Sequence, residues 1–497
     1  MDWGEFFPEV DAGQIKLHLR APSGTRIEDT TALCDLVEQD IRRHVGKQLD
    51  TQVDVVGLPY SGINLSYSTS APIGPGDADI FITLSKGHTP TPEVVHELRK
   101  VLHQDFPTIS FAFLPADIVS QILNFGLPAP LDVQISGIRL AENRVFANRL
   151  LAQLKTIPGA VDLRIQQPFD YPQVEVEVNR DLAETLGYTE QDVASNLMTS
   201  LSGSFQTAPS FWTNLKNGVQ YNVSAQMPQY RLQSVGDLGQ LPITVASPMV
   251  LPQILANLAT FRHGVGPAVV SHYNVKPAID IFGAVQGTDL GTVAKHIQEI
   301  IHANQKYLPK GTQVIVRGQV QTMHDSFTSL EWGLLSAIVL VYLLIVVNFQ
   351  SWIDPLIIIG ALPAALAGIV WMLFLTHTTL SVPALTGAVM CMGVGAANSI
   401  LVISFARERV AEGLSALEAA LEAGSTRLRP VLMTALAMVI GMLPMALGLG
   451  EGGEQNAPLG RAVIGGLLFA TVATLFLVPV LFSLIRSRRS VSSRTMS

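Results

Sequence analysis

Asn398 and Ser399 are polar residues in a place where polar side chains are costly. They lie near the middle of Ser381–Val410, SVPALTGAVMCMGVGAANSILVISFARERV. From Val382 to Ala406 this stretch carries no charged side chain. As a helix it would reach about 37 Å, enough to cross a hydrocarbon core of about 30 Å. An amide both donates and accepts hydrogen bonds, and so does a hydroxyl. In lipid such groups need partners. One reading is bonding between neighbouring helices, which the small residues Gly393, Gly395, Ala396 and Ala397 would allow to approach closely. The other is that the two residues line a polar path through a helix bundle. Arg407-Glu408-Arg409 then ends the stretch as a charged stop.

The rest of the chain must supply the partners. Its 497 residues are enough for three or four structural units. Apolar residues make up 48% and charged ones only 14%, against a usual quarter charged. The shortage of charge is local. Residues 329–497 hold eight acids and nine bases, all the bases Arg; taken from totals of 40 and 32, this leaves 32 acids and 23 bases before residue 329. An acidic portion therefore precedes a charge-poor one. No basic stripe points to nucleic acid. No nucleophile–base pair, metal-ligand spacing or phosphate loop points to an enzyme. Cys34 falls in a polar helix and Cys391 in the apolar stretch, so no disulfide between them is expected.

Five apolar stretches follow residue 329, near 332–349, 353–376, 382–406, 430–449 and 459–485. Each is long enough to span a bilayer. The link after the third holds Arg407, Arg409, Arg427 and Arg429, and the tail holds Arg486, Arg488, Arg489 and Arg494. The links after the second and fourth hold no base. Arginine asymmetry therefore places the basic side in the cytoplasm and residues 1–328 outside. The link 411–425 reads as a polar-faced helix lying along the cytoplasmic surface. His377, at the end of a span, reads as a solvated loop residue.

Before the spans, strand and helix patterns alternate. Residues 14–21, 52–56, 79–84 and 109–114 read as strands, with helices over 29–45 and 92–104. The first helix should bury Ala32, Leu33, Leu36, Val37 and Ile41. The stretch 60–77 is rich in Gly, Ser and Pro and reads as a loop. The pattern recurs as strands 131–136 and 161–165 around helix 143–156, then as strands 278–285 and 313–317 around helix 290–307. An insert of about 177–275 divides the second unit. Asn179 and residues 190–199 begin it as capped helices, and Asn217-Gly218 marks a hairpin turn. Phe205, Phe211 and Trp212 are expected to pack in its core. The chain opens with no signal peptide, yet residues 1–328 read as external. The expectation is that a membrane span precedes them, in a longer polypeptide or in a separate first half.

This order resembles the C-terminal half of the resistance-nodulation-division (RND) efflux transporters. The resemblance begins at Phe6-Phe7-Pro8-Glu9-Val10-Asp11-Ala12-Gly13. It continues through Leu19-Arg20-Ala21-Pro22-Ser23-Gly24-Thr25, Phe349-Gln350-Ser351-Trp352-Ile353-Asp354-Pro355 and Ala397-Asn398-Ser399-Ile400-Leu401. It ends with Arg427-Leu428-Arg429-Pro430-Val431-Leu432-Met433-Thr434. The implied fold is α+β: periplasmic porter and docking subdomains built of βαβ, ferredoxin-like units, followed by an all-α polytopic bundle of five transmembrane helices. The implied divisions are a first porter subdomain at 1–130 and a second at 131–176 and 276–328. A docking insert at 177–275 and a transmembrane domain at 329–497 complete them.

The resemblance implies half of an inner-membrane permease that exports small amphiphilic compounds by proton antiport. The proton gradient would drive it, without a cofactor. Implied partners are the N-terminal half, two further copies in a homotrimer, a periplasmic adaptor protein, an outer-membrane channel and the lipid bilayer. Arg427 and Thr434 match the family's relay Arg and Thr, and with Asn398 and Ser399 form the expected proton relay. The relay aspartates lie in the first half. The lysine of the drug exporters falls on Ala397, so another group or water must balance those aspartates. Arg427 can serve as a fixed counter-charge or as an interfacial anchor. Thr434 can pass a proton or bond its own helix. Tyr60, Ile63, Leu65, Tyr67 and Phe81 are expected to line the substrate pocket. Heavy-metal exporters of the family use methionines in this part. Met198, Met227, Met249 and Met323 fall off the expected pocket strands, so a soft-metal route is not expected. The alternatives are a heavy-metal RND exporter, or an export-assisting scaffold without proton coupling.

Overall fold

The computed structural model describes residues 4–8, 11–58, 72–124, 126–245, 247, 249–450 and 452–494. The chain divides into two compact units, one of residues 1–167 and 269–497 and the other of Pro168–Ala268.

The first unit opens with strand β1 (Gln14–Arg20), helix α1 (Ile27–Val45), strands β2 (Leu49–Val56) and β3 (Asp77–Leu84), helix α2 (Thr91–Asp105) and strand β4 (Ser110–Leu114). The antiparallel sheet runs β2-β3-β1-β4, the split order of a ferredoxin-like unit. Alternation in β1 decides which face is covered. Ile15, Leu17 and Leu19 pack under the helices with Ile80, Ile82 and Phe111. Lys16, His18 and Arg20 take the other face. In α1 the buried stripe is Thr30, Cys34, Val37, Ile41 and Val45. Leu36, expected inside, is half exposed. The i, i+3, i+7 spacing that meets the sheet runs through Cys34 instead.

The pattern repeats with β5 (Leu131–Ser136), α3 (Leu140–Leu154), β6 (Ala160–Ile165), β7 (Ser271–Tyr273), β8 (Lys276–Val285), α4 (Leu290–Asn304) and β9 (Gln313–Gly318). Strand β8 pairs with β5 on one side and with β6 and β7 on the other, and β5 pairs with β9. Leu131, Val133, Ile135, Ile279 and Ile281 are buried on one face together with Phe146, Leu150, Val293 and Ile297 of the helices.

Among the described residues, five helices long and apolar enough to cross a membrane follow. They are α5 (Gln319–Phe349), α6 (Asp354–Leu375), α7 (Val382–Ala411), α8 (Ala416–Ala446) and α9 (Ala457–Ser487). Glycines let α9 sit close to its neighbours. A methyl group added at Gly466 would meet Cys391 Sγ at 2.5 Å, and one at Gly368 would meet the Gly465 carbonyl at 2.5 Å. The expected surface helix at 411–425 is not separate. Most of it is the first turns of α8, which begins at a Ser415–Glu418 capping box and continues through Pro430. Proline removes one backbone donor, and the Ala-rich sequence on its N-terminal side favours helix strongly enough to carry through it.

In the second unit, strands Tyr171–Val178 and Ala259–Gly266 pair along their whole length. The unit begins and ends earlier than the 177–275 read from the sequence, because Tyr171–Val178 pairs here while Ser271–Tyr273 pairs with β8. Asn179 caps a short helix, and Thr189 with Asp192 forms a capping box for helix Glu190–Ser202. The core is Tyr188, Val193, Leu241, Ile243, Leu255 and Leu258. Phe211 and Trp212 are not part of it. They are 55% and 56% exposed on a two-stranded ribbon that no second layer covers among the described residues. Phe205 meets Phe211 edge to face with ring centroids 5.5 Å apart.

Candidate functional site

The centre of α7 touches two helices through adjacent residues. Thr434 Oγ1 of α8 lies 3.3 Å from Asn398 Oδ1 and 3.0 Å from the Val431 carbonyl of its own helix. One hydroxyl carries one hydrogen, so it cannot donate to both at once. With the amide turned to present its NH2, Asn398 donates to Thr434 while Thr434 donates to Val431. The arrangement thus has two hydrogen-bond polarities. Ser399 Oγ lies 3.0 Å from Thr474 Oγ1 of α9, and both residues are fully buried. Either hydroxyl can donate. Ala397 and Thr434 are exposed on the surface of this chain. The polar centre therefore runs from a buried hydroxyl pair to an open face.

Arg427 is not brought to that centre by any contact. It stands seven residues before Thr434 on the same helix, about 10 Å along the axis. Its guanidinium lies 5.0 Å from the Phe405 ring, and its buried Nε has no partner among the described residues.

A second grouping lies at the basic end of the bundle. Asp354, at the start of α6, is 1% exposed. Its carboxylate lies 3.3 Å from Arg407 of α7 and 3.4 Å from Arg486 of α9. Arg407 Nη1 also donates to the Phe349 carbonyl at 2.9 Å, which caps the end of α5. The carboxylate thus ties α6, α7 and α9, and Arg407 adds the end of α5. The sequence shows Asp354 only as an acid in a short polar link.

A cleft of about 520 Å³ lies between the two α/β parts of the first unit. Phe6, Phe7, Arg99, Phe113, Asp117 and Leu290 are among its lining. The segment before β1 forms one wall and is tied to α7 and α4. Val382 N–H donates to the Phe6 carbonyl at 3.3 Å, and Gly291 N–H to the Gly4 carbonyl at 3.3 Å. Tyr60, Ile63, Leu65 and Tyr67 lie outside the described residues. Phe81 is 42% exposed on the polar face of the first sheet, with Lys16 Nζ 5.3 Å from its ring centroid. It is not in the lining of the cleft.

That polar face holds a charged seam. His18 Nδ1 lies 2.8 Å from Asp79 Oδ1, and Lys16 Nζ lies 3.2 Å from Asp79 Oδ2. Arg20 holds Asp77 at 2.8 Å. Burial pushes the His18 pKa down, which outweighs its bond to Asp79. His18 is thus a neutral imidazole that donates from Nδ1, and its Nε2 has no partner among the described residues. Burial raises Asp79, but the bond from His18 and the nearby charges bring it below the ordinary carboxylate value. Arg164 of β6 is brought down to about 10 by burial and by Arg20. On the second sheet, burial and the neighbouring Asp280 push Asp132 up to about 8, against the pull of Arg317. Position 132 pairs with both Phe282 and Arg317 in the ladders, which places Arg317 beside it.

Two α/β units with one interrupted by an insert, followed by five apolar helices, form an arrangement that can be compared with known proteins. The sequence model described as the AcrB/AcrD/AcrF family matches residues 4–486. The chain belongs to that family. Its members are RND permeases. The cation efflux system protein CzcA of Alcaligenes sp. (strain CT14) is 27% identical over 495 residues, covering 97% of this chain and 45% of that protein. The nickel and cobalt resistance protein CnrA of Cupriavidus metallidurans is 28% identical over 502 residues, covering 98% and 45%. The crystal structure of a heavy metal efflux pump matches with a TM-score of 0.80 and 26% identity, over 98% of this chain and 49% of that one. The chain thus spans about half the length of the relatives it matches. Their names speak of cation efflux, nickel and cobalt resistance and heavy metal efflux, which matches the heavy-metal alternative better than the multidrug reading of the sequence.

Three groupings in this RND-family chain went unseen in the sequence: Asp354 with its two arginines, the Ser399–Thr474 pair, and the His18–Asp79 seam. Alternation in β1 and β3 could have revealed the last, since it sets Lys16, His18 and Arg20 on one face with Asp77 and Asp79. The other two depend on contacts between helices far apart in sequence.

Proposed function

We propose that this chain is one half of an inner-membrane efflux permease that exports metal cations in exchange for protons. The observation that carries the metal reading is the naming of its relatives, which match nearly the whole chain. On this reading residues 4–328 face the periplasm and the arginine-rich end of the bundle faces the cytoplasm. The two ferredoxin-like parts act as porter subdomains, and Pro168–Ala268 is the docking subdomain. A first half supplies the proton-binding carboxylates next to the open face at Ala397 and Thr434. Asn398, Ser399 and Thr434 relay the proton, and Arg427 acts as a fixed counter-charge near the mouth. Three copies assemble with an adaptor protein and an outer-membrane channel, and the proton gradient is the only energy source. The two polarities of the Asn398–Thr434 bond support the relay role.

The cleft favours a second reading. Its size suits a small organic solute, and Phe6, Phe7 and Phe113 give it apolar walls that an amphiphile would fill and a bare cation would not. One experiment separates the readings. The chain is produced with its first half in cells stripped of other exporters. Accumulation of zinc, cobalt and nickel is measured beside that of ethidium, with and without a protonophore. Protonophore-sensitive loss of metal supports the first reading, and of ethidium alone the second. Unchanged accumulation of all four would sink both.

A further inference from the structure

Helix α9 is not regular along its length. Val478 N–H donates to the Ala473 carbonyl five residues back, and Ala473–Leu477 form a single π-helical turn. The sequence supplies a cause. Pro479 has no N–H, and its ring would crowd the carbonyl of Leu475 in an α-helix. A wider turn just before the proline relieves that clash. Such turns are often found at functional positions.

The two halves of α9 on either side of this turn are held differently. Toward Ala457, Gly465 and Gly466 press against Gly368 of α6 and Cys391 of α7 too closely for any side chain. Toward the tail, Val478 and Phe482 are fully buried and Arg486 is held by Asp354. The widened turn lies between two anchored ends, and Thr474 sits inside it. Thr474 is bonded to Ser399, the neighbour of Asn398. This bond joins the π turn to the polar centre of α7.

We infer that Thr474 is a positioning residue for proton coupling, and that the π turn around it is the hinge by which α9 responds to α7. This rests on the proton-coupled reading above. A π turn holds one residue more than an α turn over a similar rise. Shifting it along the helix by one residue turns the intervening position by about 100°. The Ser399–Thr474 hydroxyl pair can reverse its donor without moving a heavy atom. The charged groups of α6 to α9 lie toward the ends: Asp354, the run Arg407-Glu408-Arg409, Glu418, Glu422, Arg427, Arg429 and Arg486 at one, and Arg461 at the other. Thr474 stands twelve to thirteen residues from Arg486 and Arg461 along α9, about 18 Å either way. The hydroxyl pair thus responds to protonation through its neighbours on α7 and does not itself carry charge.

The test uses the assembly that this chain forms in its native membrane. It is purified through a C-terminal tag and reconstituted in vesicles with an entrapped pH dye. Zinc ion and ethidium are supplied in turn as the exported solute. Proton uptake is followed as a function of pH, and backbone hydrogen exchange is measured on the same preparations. Thr474→Val should move the midpoint of the pH profile by about one unit, a tenfold change in apparent proton affinity. Thr474→Ser should restore it. In the wild type, amides of Leu475–Val478 should exchange about tenfold faster than those of Leu467–Val472. The inference fails if Thr474→Val lowers rate and yield together with the midpoint unmoved, for Thr474 is then only a packing group. If the wild type takes up no protons with either solute, the proton-coupled reading fails. Exchange then decides the hinge alone, and uniform slow exchange from 467 to 485 overturns it.

Discussion

Removing Arg407 tests whether the buried carboxylate of Asp354 ties the helices together. The two groups lie 3.3 Å apart, with Asp354 1% and Arg407 about one-third exposed. Coulomb attraction at that separation is about 1 kcal/mol at the dielectric of water and about 5 kcal/mol at an effective dielectric of 20. Partial exposure of the arginine places the pair between these limits. Arg486 still faces the carboxylate in the variant, so the charge is not left wholly alone. The Phe349 carbonyl also loses its donor, which costs about 1 kcal/mol more. Arg407→Gln should therefore destabilise the bundle by about 2–3 kcal/mol. At roughly 2–4 °C per kcal/mol for a large domain, the melting midpoint should fall by about 5–10 °C. The assay is built into the chain. Cys34 and Cys391 are both buried, so a thiol-reactive dye reports unfolding. A Cys34→Ser background confines the signal to the helices. Asp354→Asn should destabilise as well, and the double variant should lose less than the sum of the singles, because the interaction can be lost only once. A shift below about 1 °C for Arg407→Gln, or strict additivity in the cycle, would refute the reasoning.

Four other outcomes follow from the geometry. Asn398→Leu should abolish most proton-coupled export at normal membrane levels, and Thr434→Val should reduce it less, since water can replace one hydroxyl; export assays paired with immunoblots check this, and equal loss of protein and activity would return Asn398 to packing. Asp132 holds its proton in the folded state up to about pH 8 but releases it near its ordinary value of 3.8 when unfolded, so stability falls by about 1.4 kcal/mol per pH unit across that window as pH rises. Asp132→Asn should flatten that slope in melting curves, and an unchanged slope would show that the group does not carry it. Cysteines placed at Thr213 and Leu417 should react with an impermeant reagent from outside and not from outside, respectively, in intact cells; the reverse pattern would invert the proposed topology. Gly466→Ala should cost about 1–3 kcal/mol in the dye assay, because its methyl would lie 2.5 Å from Cys391 Sγ.

The apolar runs and the strand–helix alternation were legible because they depend on local periodicity. Leu17 and Leu19 alternate with Lys16 and His18 whatever lies above them, and five apolar runs stand out against charged links. The misses share a different cause. Phe211 and Trp212 are large and apolar, but their ribbon has no covering layer, and no pattern within the ribbon could show that. Asp354 looks like any acid in a short link until Arg407 and Arg486 arrive from two other helices. Thr474 is one of several hydroxyls in an apolar run. Its importance comes from Ser399, 75 residues away, and from the helix widening before Pro479. Of the expected relay, Asn398 and Thr434 meet, Ser399 turns instead to α9, and Arg427 stands apart on Phe405.

The segment Gly4–Pro8 has a mechanical consequence. It forms a wall of the cleft, yet its Phe6 carbonyl accepts from the first residue of α7, the helix that carries Asn398 about 24 Å further along, at about 1.5 Å per residue. The wall therefore hangs from that helix like a shutter from its rail. A tilt of α7 that keeps this bond and carries Phe6 with it would widen or narrow the cleft. Thermodynamic reciprocity then applies: an occupant that fits one width better must favour the matching tilt by the same free energy. Loading at the cleft and the tilt of α7 would become two readings of one lever, and a solute too small to touch both walls would leave the lever free.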